Sequence, residues 1–181
     1  MGNTETEQPR RAAAAAWWGF AVVAAYSIAG VLQILVWNPL AAVPGSTLEQ
    51  IRADMVHANE SLTADWVLSW GAIGVVLAAV VLVTALARRS SRTDLVVAAY
   101  LVLLVFAAPG HMFVAFAPGM SLADTFMISG GDHAPWGVVL YLVSTAALVA
   151  LIVQIIRSAR AASSRLADAY ARTEGQFGSS A

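Results

Sequence analysis

The residues best suited to chemistry in this sequence are its three histidines, His57, His111 and His133. Imidazole changes charge near neutral pH and, with carboxylates such as Asp132, ligates zinc and related ions. The spacing does not make a metal motif. No H-x-x-x-H occurs, and Asp54 lies one helical turn from His57, a separation common by chance. His57, His111, His133 and Asp132 are therefore weak metal candidates, and no metal is expected. A haem would need two axial ligands at matching depth on different helices, and only His111 falls within an apolar stretch. No cofactor is expected. G-x-S-x-G, H-E-x-x-H and phosphate-binding glycine loops are all missing from the sequence. The chain contains no cysteine, which excludes disulfides, thiolate metal sites and dithiol redox chemistry.

His111 differs from the other two because it sits inside a long apolar run. An ionisable group there marks a candidate functional site. It lies 16 residues beyond Leu95, or about 24 Å of helical rise. Gln33 lies 16 residues beyond Trp17 and reaches a similar depth from the same side. Ser69 and Trp70, entering from the opposite side, and Tyr141 and Ser144 of the last run come to the same level. Gln33, Ser69, Trp70, His111, Tyr141 and Ser144 are thus predicted as one polar, ligand-binding layer beside Pro109. The plainer reading gives His111 a place near the membrane interface, facing water, with Gln33 and Tyr141 bonding locally.

Four apolar stretches must position these groups: residues 17–38, 66–87, 95–117 and 136–156. Each approaches the ~20 residues that cross a hydrocarbon core of ~30 Å. Of 181 residues, 59% are hydrophobic and 12% charged, against about 25% charged in soluble domains. There is no lysine, and nine of the ten arginines fall in three places: residues 10–11, 88–92 and 157–172. These alternate with two acidic gaps holding Arg52 alone. The arginine-bearing segments carry net +4 and the gaps net −5, matching the overall −1. Positive-inside bias then predicts an all-α bundle of four transmembrane helices, up and down, with both termini inside. No basic patch resembles a nucleic-acid footprint, so no nucleic-acid partner is expected.

Smaller signals refine this plan. Residues 1–11 are expected to be a disordered inner N-terminus and 12–157 the transmembrane domain. Residues 158–181 read as an inner tail, helical at first and disordered from Gly175. The first stretch exceeds the 7–15 residues of a secretory h-region and is read as a span. Ala21, Ala25 and Ala29 offer a small-residue packing face, as do Gly71, Gly74 and Ala78. Asn38-Pro39 is expected to end the first span, since the residue before proline avoids helical geometry. Ser46 with Glu49 suggests a capping box opening an amphipathic outer helix. Stopping before Pro109 would leave the third span too short to cross, so its helix should continue with a kink and reach about Phe116. Ser121 and Asp124 suggest a further cap.

No Asp, Glu or Arg lies deep in any span, which argues against ion-coupled transport. The expectation is a small non-enzymatic protein of a bacterial inner (plasma) membrane. It would act by helix packing with itself or a membrane partner, or through an outer-leaflet small-molecule pocket. The alternative is a membrane enzyme or redox accessory using His111 with a bound ligand. Beyond the lipid bilayer, the partners this allows are further copies of the chain or another membrane protein.

Overall fold

The structure is a computed structural model and describes residues 4–88 and 92–178. The first three and last three residues and residues 89–91, with Arg89 of the expected inner loop, lie outside the described part. Among the described residues all regular secondary structure is helical. Helix α1 spans Thr4–Leu32 and continues through a π-helical turn, Gln33–Trp37, into α2, Asn38–Ala42. Then follow α3 (Leu48–His57), α4 (Ala64–Ala87), α5 (Thr93–Phe126) and α6 (Trp136–Gly178). Four helical segments are long and apolar enough to cross a membrane: Arg10–Ala42, Ala64–Ala87, Thr93–Phe126 and Trp136–Ala167.

Large apolar side chains cover the outside of this bundle. Phe106, Phe113 and Phe116 on α5 are each at least 69% exposed. Ile73 and Val80 on α4 and Val138 and Leu142 on α6 also point outward. Such a belt is untenable in water and suits contact with lipid. Inside, small and polar groups pack among buried apolar residues such as Val23, Leu82, Val96 and Leu104. Tyr100 on α5 meets Gly19 of α1, where an added methyl would overlap its ring, and its hydroxyl donates to the Ala78 carbonyl of α4 at 3.1 Å. Farther along, Gly74 abuts Ser27 and Gly71 abuts Val31, and Gly30 lies against Trp70 and His111. As the contacts climb α1 and α5 they descend α4, so α4 runs against both.

Several helices outrun the lengths expected from sequence. The Asn38-Pro39 step does not end the first span. Pro39 follows the π-helical turn directly, in the first turn of α2, and the helix runs on across it although its missing N–H cannot bond. Pro109 and Pro118 both lie inside α5, which runs on to Phe126 and absorbs the Ser121–Asp124 pair expected to start a new turn. A break within lipid would leave several backbone groups unpaired, a larger penalty than one lost bond per proline. The N-terminal helix begins at Thr4 and α6 extends to Gly178, across segments expected to be disordered. Alanine-rich sequence at 12–16 and 159–169 favours helix.

Two packing expectations also shift. Ala21 and Ala25 are exposed, and α1 buries Val23, Tyr26, Ser27 and Gly30 instead. The cap of α3 is Thr47, one residue after the expected Ser46. Its hydroxyl accepts from the Gln50 N–H at 3.2 Å, and the Gln50 side chain accepts from the Thr47 N–H at 2.8 Å. With α3 so fixed, Ile51 and Met55 plug into Leu35, Val114 and Leu122 and close that end of the bundle.

Candidate functional site

His111 is fully buried where α1, α4, α5 and α6 converge. Trp70 of α4 presents its ring to one side at a centroid distance of 5.7 Å, and Tyr141 of α6 to another at 6.0 Å, both roughly edge to face. The glycines explain how α1, α4 and α5 come so near. A methyl at Gly30 would lie 2.7 Å from the Trp70 ring and 3.2 Å from His111 Cδ2, and one at Gly110 would lie 2.8 Å from Trp70 Nε1. Neither His111 ring nitrogen makes a hydrogen bond of good geometry, and the backbone group beside the imidazole is that of Gly30.

Gln33 is also fully buried. Its Nε2 donates to the Ala134 carbonyl at 3.3 Å, while Oε1 has no partner. Five residues later, Asn38 Oδ1 accepts from the backbone N–H of His133 at 2.6 Å and of Ala134 at 3.4 Å. In a regular α-helix, residues five apart point about 140° from each other. The π-helical turn removes that divergence, because the Asn38 N–H bonds the Gln33 carbonyl and brings the two residues onto one face. Both side chains thereby grip the segment that enters α6. Asp132 folds over the same place: a methyl at Gly137 would lie 2.6 Å from its Oδ2 and 3.1 Å from Gln33 Nε2.

The six expected site residues divide. Trp70, His111 and Tyr141 come together, and Gln33 is buried one turn along α1 from Gly30, which abuts His111. Ser69 does not; it is exposed and its hydroxyl bonds the Asp65 carbonyl of its own helix at 2.7 Å. Equal depth placed it at the correct level but on the wrong side of α4. Ser144 is buried one turn away, in a separate layer, where it donates to the Leu104 carbonyl at 2.7 Å and pairs with the Tyr26 hydroxyl at 3.2 Å. The weak metal candidates do not converge. His57 is exposed on α3, His133 Nε2 meets Ser129 Oγ at 3.4 Å, and no group of three or more His, Asp or Glu among the described residues is placed to hold an ion. Asn38 and Gly30 escaped the sequence reading. The signal for Asn38 was present, as a polar residue within a span's reach, but the following proline made it look like a helix end.

No family model, curated protein or solved structure matches this chain. What the site can do is therefore argued from its chemistry. It offers a donor-acceptor imidazole, an amide carbonyl, a phenol and a nearby carboxylate, walled by aromatic rings. No hydroxyl nucleophile is hydrogen-bonded to His111, so a nucleophile–base pair is not formed here.

Proposed function

We propose that this chain is a non-catalytic, multi-pass protein of the inner (plasma) membrane that acts through a small-molecule site in its outer leaflet. In this reading both termini lie inside, the spans alternate in direction, and α3 with the Met127–Pro135 segment caps the outer face. The arginine distribution supports that orientation. The observation that carries the site is His111: fully buried, with neither ring nitrogen in a hydrogen bond of good geometry, while Gln33 Oε1, on the same helix as Gly30, is buried without a partner too. Buried polar groups in natural proteins almost always have partners, and leaving one without costs about 1–3 kcal/mol. A small polar molecule able both to donate and to accept would satisfy the imidazole. The surrounding tryptophan and tyrosine rings would cover its apolar part, a usual composition for such pockets.

Native mass spectrometry of the chain released from its own membrane tests this reading. The wild type should carry a small adduct that His111→Leu and Gln33→Leu each abolish. A wild type at the bare chain mass, together with a His111→Leu variant of higher thermal stability, would make His111 a packing residue and end the proposal. A visible chromophore or stoichiometric metal lost in His111→Leu would instead favour a redox accessory role.

A further inference from the structure

We infer that the first turns of α5 and the facing part of α6 form a binding groove for an anionic phospholipid. This site lies at the arginine-bearing end of the bundle, far along α5 from His111. Helix α6 meets the start of α5 at Gln154, whose Nε2 donates to the Asp94 carbonyl. Beyond that point α6 runs on while α5 has ended, so residues 157–165 extend past their neighbour. Ala150 leaves space beside α5, and Ser158, Ala161 and Ala162 leave it beyond the start of α5, so that a cavity of about 710 Å³ results.

The cavity has two chemically distinct parts. Its floor is apolar: Val97 and Leu101 of α5, Ala150 and Val153 of α6. Its rim carries Arg92, Arg157 and Arg165 against the single carboxylate of Asp94, a net charge of +2 on the lining. The start of α5 adds to the positive field. A helix N-terminus carries about half a positive charge. Arginine suits phosphate because its planar fork donates two bonds at once. A free phosphate ion would use the rim alone. A phospholipid uses both parts, its phosphate on the arginines and an acyl chain along the apolar floor, which already faces lipid. Basic pockets between membrane helices are apt sites for anionic headgroups.

The test is native mass spectrometry and thermal unfolding of the full chain, titrated with phosphatidylglycerol, phosphatidylcholine or inorganic phosphate. Wild type should retain one phosphatidylglycerol in preference to phosphatidylcholine. The double variant Arg157→Gln/Arg165→Gln should bind it about twentyfold more weakly. Arg160→Gln removes the same kind of charge from α6 but does not line the groove, and should stay within about twofold of wild type. Ala150→Phe fills the exposed floor at constant charge and should also weaken lipid binding. All variants should unfold like wild type in phosphatidylcholine. Equal losses from Arg160→Gln and the double variant would show an unlocalised charge effect and overturn the site. Displacement of the lipid by inorganic phosphate, or undiminished binding in Ala150→Phe, would overturn its assignment to a phospholipid.

Discussion

Asn38 Oδ1 accepts the His133 backbone N–H at 2.6 Å, joining residues 95 apart in sequence. The same oxygen takes the Ala134 N–H, so one side chain fastens the approach to α6 onto the end of α1. Asn38→Ala should remove both bonds and leave two backbone donors unpaired near the bundle interior. A loss of about 2 kcal/mol is expected, read as a lowered midpoint in detergent unfolding. Amide exchange should rise at His133 and Ala134 before it rises elsewhere. An unchanged midpoint would mean that water replaces the side chain at no cost.

His111 and Tyr141 stand with ring centroids 6.0 Å apart. A double-mutant cycle between them should show coupling above about 0.5 kcal/mol. His111→Ala should destabilise by opening a cavity, whereas His111→Leu should be neutral or stabilising in the ligand-free protein, because it removes two nitrogens that make no hydrogen bond of good geometry. Strict additivity in the cycle would show that the rings do not sense each other.

Gly119 passes so close to the following loop that an added methyl would sit 2.6 Å from the Gly130 carbonyl oxygen. That neighbour is backbone and cannot swing aside. Gly119→Ala should therefore cost about 1–3 kcal/mol. Gly131→Ala supplies the contrast, since a methyl there meets open space, and its unfolding midpoint should match wild type.

Orientation is checked with introduced cysteines on a chain that has none of its own. Ser46→Cys and Ser129→Cys should react with an impermeant thiol reagent on intact cells, and Ser163→Cys only after lysis. The opposite pattern would invert the proposed arrangement and with it the outer-leaflet placement of His111.

Which parts of this structure were legible beforehand follows from what each signal measures. Apolar run length and the sparse, clustered arginines exposed four long membrane-type helices. Counting helical rise gave depth, and Trp70, His111 and Tyr141 do meet. Rise says nothing about direction around the helix, and Ser69 shows the consequence by facing away. Ala21 and Ala25 failed for the same reason: a small-residue spacing names a face without naming its partner. Proline was read too locally. Pro39, Pro109 and Pro118 all lie within helices because the alternative in lipid is worse. Asn38 was hidden behind that misreading of Pro39.

The π-helical turn at Gln33–Trp37 holds one residue more than a regular helix would place between Gln33 and Asn38. The surplus is absorbed within that turn, so α2 keeps the facing it would have without it. Deleting any single residue from Ile34 to Val36 would leave Gln33 and Asn38 four apart, still on one face of an ordinary helix. The clasp on His133 should therefore survive the loss of one codon there. The same loss where α1 winds regularly would turn the residues after it by about 100° relative to those before.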